Sequence, residues 1–238
     1  MKKLHEKLKA NSVVRCIHAR LVTNYERTWD LYAMTKHGAM REILTGVEDD
    51  VIFDQRGKEF ADELKKFIEP NSVVLDVGCG IGRVEKFLVQ YCKEIHGIDV
   101  SGRMIKLGKK RLKEINNVFF HKTNGIDLSI FPDNKFDFVF SIIVLQHIAK
   151  EDAYIYISEI FRVLKPNGRA YLQFPNILHD DNLKECIEYA KKYKNKSVAK
   201  MRYYTKEEVQ TMLEVAGFKI VNMDANRDIF VLAEKVLS

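Results

Sequence analysis

The residues best suited to hold a ligand lie in Leu75-Asp76-Val77-Gly78-Cys79-Gly80-Ile81-Gly82-Arg83, where a short apolar run gives way to a helical pattern. Glycines at such a turn let the backbone take conformations closed to other residues and let a ligand approach closely. A second carboxylate, Asp99, follows Gly78 by 21 residues. At that spacing an acid at the end of a second strand accepts both hydroxyls of a ribose. The order of the glycines also separates ligands. A dinucleotide loop reads G-x-G-x-x-G and aims a helix N-terminus at a pyrophosphate. Here the loop reads G-x-G-x-G, with Asp76 two residues before the first glycine. A carboxylate there repels a pyrophosphate and attracts an ammonium or sulfonium group. Cys79 has no base or second cysteine near it in the sequence, so it reads as a small residue in a tight loop.

The elements that would position these groups follow from period and punctuation. From residue 72, short apolar runs at Val73–Val77, Glu94–Asp99, Val118–Lys122, 136–143 and 169–174 alternate with helical stretches at about 82–91, 102–115 and 150–164. Apolar runs separated by helices predict a parallel sheet covered on both faces. Thr205-x-x-Glu208 matches a capping box, opening a helix that runs to Ala216 and closes at Gly217. Two last strands, at about 218–224 and 229–235, are joined by the turn Asn226-Arg227-Asp228, too short for anything but an antiparallel pair. Ahead of the sheet the period is helical over 3–22, over 25–45 with Gly46 as its stop, and over 60–68, stopped at Glu69-Pro70. The expected fold is α/β: a Rossmann-like, doubly wound, mostly parallel seven-stranded sheet with a C-terminal antiparallel hairpin. Residues 1–70 form an N-terminal helical extension or cap, and 71–238 the α/β domain.

Composition sets the class. The 238 residues are 46% hydrophobic and 30% charged with only 4 Pro, enough to bury a full core and to exclude a disordered or collagen-like chain. The longest apolar run, 138–145, contains Ser141 and is far short of the ~20 residues of a membrane helix. Residues 1–10 are basic but lack the apolar centre of a secretory signal. Cys16, Cys79, Cys92 and Cys186 are widely spaced with no C-x-x-C pair, so a cytoplasmic protein without disulfides or a metal is expected. The net charge of +6 is uneven. Residues 1–24 carry six Lys or Arg against Glu6, and 190–206 carry seven and no acid, leaving the remainder net acidic. Such runs are solvated faces or sites that draw an anion. No nucleic-acid motif accompanies them.

The stretch LDVGCGIGR, followed by GIDVS, FPDNKFDFVFSIIVLQHI and RVLKPNGRAYLQFP, resembles the class I S-adenosylmethionine-dependent methyltransferases of small-molecule type, over about residues 72–235. The resemblance implies that Asp76, Gly78, Cys79, Gly80 and Gly82 face the methionine part of S-adenosylmethionine, with S-adenosylhomocysteine as product and no metal. It gives Asp99 the ribose hydroxyls, sets Val100 against the adenine and Met104 beside the cofactor, and packs Asn124, Gly125 and Ile126 on the adenine edge. This family often has Asp near position 124, where Asn also bonds an adenine amine. Ser141, Ile142 and Gln146 would border the reacting methyl group, and Arg56, ahead of the first strand, would reach the cofactor carboxylate.

Methyl transfer from a sulfonium is an in-line displacement, in which holding the two reactants together supplies roughly 7–11 kcal/mol. His147 follows the fourth strand at the carboxyl end of the sheet, where ligands bind in such folds, and an imidazole of ordinary pKa near 6.5 takes a proton at neutral pH. Its other reading is to fix the loop. The acceptor-pocket candidates are Tyr25, Trp29, Tyr32 and His37 before the sheet, and His179, Asp180, Arg202, Tyr203 and Tyr204 after the fifth strand. The Tyr25, Trp29, Tyr32 stripe equally suits a core face. In this superfamily an insertion after the fifth strand commonly forms a lid, so 175–204 is expected to cover the acceptor, its lysines favouring a small anionic metabolite. Competing readings are a tRNA or rRNA methyltransferase with salt-dependent binding, and a catalytically silent cofactor-binding subunit using its N-terminal helices as an interface. An NAD-dependent oxidoreductase fits least. The sequence leaves open the acceptor, the atom methylated and the oligomeric state.

Overall fold

The computed structural model describes residues 25–192 and 200–236. The helix expected over 3–22 and the first basic run lie outside the described residues, as do Lys194 and Lys196. Strands β1 (Val73–Val77), β2 (Glu94–Asp99), β3 (Val118–Lys122), β4 (Phe136–Ser141), β5 (Leu164–Pro175), β6 (Phe218–Ala225) and β7 (Asp228–Lys235) form one seven-stranded sheet. Their order is β3-β2-β1-β4-β5-β7-β6. β1 to β5 are parallel, and β7 runs antiparallel between β5 and β6. Val74 pairs with Ile95 on one side and Phe138 on the other, so the strand order reverses at β1 and leaves a crevice at the carboxyl ends of β1 and β4.

Successive strand residues point to opposite faces, and here both faces are covered. Leu75, Val77 and Val139 pack with Ile157 and Ile160 of α6 (Lys150–Val163) and Leu213 of α8 (Lys206–Val215). Val74, Phe138 and Phe140 pack with Ala61 and Leu64 of α3 (Asp50–Leu64) and Leu88 of α4 (Glu85–Leu88). The remaining helices are α1 (Tyr25–Tyr32), α2 (Lys36–Ile43), α5 (Gly102–Arg111) and α7 (Asp180–Lys192).

Several boundaries differ from the sequence reading. The helix expected over 25–45 is two, because the Thr35 hydroxyl accepts from the Gly38 N–H at 2.9 Å and caps α2. The helix expected at 60–68 begins at residue 50, capped by Asp49, which accepts from the N–H groups of Val51 and Ile52. Its buried face is Phe53, Gly57, Ala61 and Leu64, half of it small residues, while Val51 and Ile52 face solvent; an apolar count therefore misses its first turns. The stretch 82–91 holds only the single turn of α4 and a 3-10 turn, Val89–Tyr91. α5 ends at Arg111 rather than 115. β4 stops at Ser141 because Ile143 has φ +63°, which no strand residue adopts. β5 starts five residues early, with Leu164 paired to Phe136. At the far edge, β6 carries a register shift between Ile220 and Asn222 and exposes Lys219 and Asp224.

Candidate active site

β1 turns into its glycine loop through Gly78, whose φ of +86° and contact with the Val144 side chain leave no room for a Cβ. The N–H groups of Gly78 and Cys79 both donate to the Ile98 carbonyl, at 2.8 and 2.9 Å, tying the loop to the end of β2. That places Asp99 beside the loop. Its Oδ2 accepts from the Gly80 N–H at 3.1 Å and its Oδ1 from the Ser101 N–H at 2.7 Å. An ionised carboxylate has about four acceptor sites, so these N–H groups leave room for a further hydroxyl donor. Burial pushes Asp99 up to about 6, against the pull of those N–H donors.

The cleft at the carboxyl ends of β1, β2 and β4 holds about 1010 Å³ of empty space, its open solvent side included. Of the residues expected at the cofactor, Asp76, Gly78, Cys79, Gly80, Asp99, Val100, Met104, Gly125 and Ile142 line it. Six do not. Gly82 sits behind the loop, where a Cβ would press on Leu112 and Phe120. The Asn124 side chain turns back to accept from the Ile126 and Asp127 N–H groups at 2.8 and 3.1 Å, and Ile126 is exposed. Ser141 is fully buried and donates to the Val77 carbonyl at 3.0 Å. Gln146 is buried beside His147, with 3.3 Å between the two Nε2 atoms. Arg56 stands on the outer face of α3, exposed and paired with Glu59 at 3.0 Å.

The guanidinium that does reach the cleft is Arg83. It is buried over the rings of Phe60 and Phe53, and its Nε and Nη1 have no hydrogen-bond partner among the described residues. Loss of hydration lowers it to about 10. Nearby, Asp76 and Glu85 are both buried and face each other; burial and mutual repulsion raise Asp76 well above the carboxylate range, and burial brings Glu85 to about 7. Buried charged groups of both signs at one end of the cleft are of the kind a zwitterionic amino-acid head would need, and the acceptor capacity left on Asp99 is of the kind a ribose would need.

At the other end of the cleft, Tyr25, Trp29 and His147 form a wall. Trp29 meets His147 edge to face at 5.2 Å and Tyr32 at 5.7 Å. The Tyr25 hydroxyl donates to Asp152 at 3.0 Å and accepts from the Ala149 N–H at 2.8 Å, which ties α1 to the start of α6. Asp30 of α1 accepts from the Ser101 hydroxyl at 2.6 Å, and Glu26 pairs with Lys122 of β3 at 2.6 Å. α1 is thus moored on both sides of the cleft.

The other acceptor candidates stand elsewhere. His37 and Asp180 are exposed, outside the cleft. His179 Nδ1 accepts from the Asp181 N–H at the start of α7. The Tyr203 hydroxyl faces Glu185 and Met201. Arg202 and Tyr204 back the 3-10 turn Leu145–His147: Arg202 donates to the carbonyls of Gln146 and His147, and the buried Tyr204 to that of Leu145. None of the described residues of 175–204 lines the cleft. α7 is instead fixed to the β6–β7 turn through Asn182, which donates to the Asn176 and Arg227 carbonyls at 2.9 and 2.6 Å.

Sequence reasoning missed Glu42, Ile43, Ile143, Leu145, Thr123 and Tyr156, which also line the cleft. Only Arg83 carried a signal, as the charge that ends the glycine loop.

A family described as a methyltransferase domain matches residues 75–172. Over 96 residues, 40% of the chain, the sequence is 35% identical to the demethylmenaquinone methyltransferase of Tropheryma whipplei, spanning 38% of that relative's length. It is 28% identical over 159 residues, 65% of the chain, to the phosphoethanolamine N-methyltransferase of Plasmodium falciparum, spanning 56% of that protein. The chain thus covers only part of the curated relatives it matches. Among solved structures, the magnesium protoporphyrin IX methyltransferase of Synechocystis PCC 6803, with S-adenosylhomocysteine bound, superposes with a TM-score of 0.67 at 21% identity. That likeness covers 87% of this chain and 98% of the other.

Proposed function

We propose that the chain, whose residues 75–172 match a methyltransferase domain, is a class I S-adenosylmethionine-dependent methyltransferase that methylates a small molecule by in-line transfer. The observation that carries this reading is Asp99, fixed by the Gly80 and Ser101 N–H groups at the side of the glycine loop. S-adenosylmethionine supplies a methyl group on a positively charged sulfur. Asp99 accepts the ribose hydroxyls, while Val100, Met104 and Gly125 wall the base. Arg83 takes the carboxylate of the amino-acid head and Asp76 its ammonium. α1 excludes water from the acceptor end, where Tyr25, Trp29 and His147 orient the incoming group. His147 takes the proton of an acceptor that has one to lose.

The finer reading is an anionic acceptor. It is supported by the basic run of 190–206 and by a relative named for phosphoethanolamine. Calorimetric titration with S-adenosylmethionine, S-adenosylhomocysteine and NAD tests the main reading. Micromolar binding of the first two is expected, weakened ten- to a hundredfold or more in Asp99→Ala, since hydrogen bonds to a charged group are each worth about 1.5–3 kcal/mol. A preference for NAD, or equal binding by the variant, overturns it. RNA binding that falls steeply with salt would replace the small acceptor.

A further inference from the structure

Glu85 is an unusual residue for its place. It is fully buried at the start of α4, and neither carboxylate oxygen has a hydrogen-bond donor among the described residues. The pocket it fills is made for it: a Cβ on Gly97 of β2 would lie 2.7 Å from Glu85 Oε1 and 2.8 Å from the Cys79 Cβ. The neighbour it faces is Asp76, itself buried at the end of β1 and open to the cleft on its other side. Two ionised carboxylates are acceptors only and repel; with one proton between them they bond. The charged and titratable groups turned toward the pair are Arg83, the Cys79 thiol, Asp99 on β2 and Arg111 on α5, with Arg56 acting on Arg83.

We propose that Asp76 and Glu85 form a proton-sharing carboxyl pair, in which Glu85 is a positioning residue, and that docking of the cofactor's ammonium on Asp76 expels the shared proton to solvent. This rests on the proposed cofactor. The balance is simple: the pair holds one proton and one negative charge before binding, and two negative charges beside the ammonium after it, with the proton passing to buffer. Arg83 keeps the doubly ionised state tolerable, since its guanidinium is buried in the same cluster.

Calorimetric titration with S-adenosylmethionine at pH 6.5–7.5, in buffers of different ionisation enthalpy, counts protons released per ligand bound. Wild type is expected to release close to one proton more than Glu85→Gln, whose amide donates to Asp76 and leaves no proton to share. Taking the difference removes the ligand's own proton exchange. Wild-type affinity should fall by up to tenfold more per pH unit below neutrality than that of the variant. Should Glu85→Gln fail to fold, the wild-type count followed from pH 6.5 to about 9, less the ligand's own titration, serves instead, falling toward zero as the pair ionises at high pH. Tight binding with equal proton counts in wild type and variant, or a wild-type excess that does not fall at high pH, overturns the pair. No binding by wild type overturns the cofactor itself, a separate outcome.

Discussion

At the level of single residues, the cleft holds groups kept away from their ordinary ionisation. Asp99 stands at about 6 because burial outweighs its N–H donors. Its folded value lies above the unfolded one of about 3.9, so the native chain binds that proton more tightly. Below about pH 4 Asp99 does not oppose folding; between 4 and 6 its ionisation becomes destabilising, and above 6 the effect is complete. The free protein is therefore expected to lose stability from this group as pH rises from 4 to 6, in thermal melts, and a Asp99→Asn variant should flatten that slope. A ligand that donates to the ionised carboxylate shows the opposite trend, binding more weakly below pH 6. Ile143 carries a different strain: at φ +63° a β-branched side chain is disfavoured, and the Gln173 Oε1 holds the bend by accepting from its N–H at 2.9 Å. Gln173→Leu leaves that N–H unpaired and is expected to cost about 1–3 kcal/mol in urea unfolding.

At the level of elements, the cleft depends on how two helices meet it. α3 approaches so closely at Gly57 that an added Cβ would overlap the Arg83 carbonyl oxygen. Gly57→Ala should cost about 1–3 kcal/mol by overpacking and displace Arg83, weakening cofactor binding in titration. α1 is held by the Tyr25 hydroxyl. Tyr25→Phe strands the Ala149 N–H, and faster hydrogen exchange over 25–32 and 149–152 is expected, with the rest of the sheet unchanged. The same elements show what the sequence could reveal. Strands β1, β2 and β3 were legible to the residue because each is a short stretch carrying β-branched or aromatic residues between turn or helix signals. α3 was not, because Gly57 and Ala61 pack by being small, and smallness leaves no apolar period. In the site, the glycine loop and Asp99 were legible from spacing within one βαβ unit. Arg83, not Arg56, at the cleft and Tyr156 in its wall depend on tertiary approach, which spacing does not encode.

For the whole molecule, charge is the quantity that acts at a distance. The two basic segments outweigh an acidic remainder, and α7 leads from the cleft-bearing end of β5 into the second of them. Neutralising Lys191, Lys192, Lys194 and Lys196 together is expected to raise the KM for an anionic acceptor at low salt and leave cofactor affinity unchanged; steady-state kinetics against ionic strength measure it. A closed sheet would have no open side, but this one ends in β6, with no strand on its outer side among the described residues. The register shift at Ile220, with Lys219 and Asp224 beside it, bends and charges that border. A second molecule meeting it finds no straight ladder to extend and charged side chains beside the exposed Val221, which disfavours fibre growth from this border.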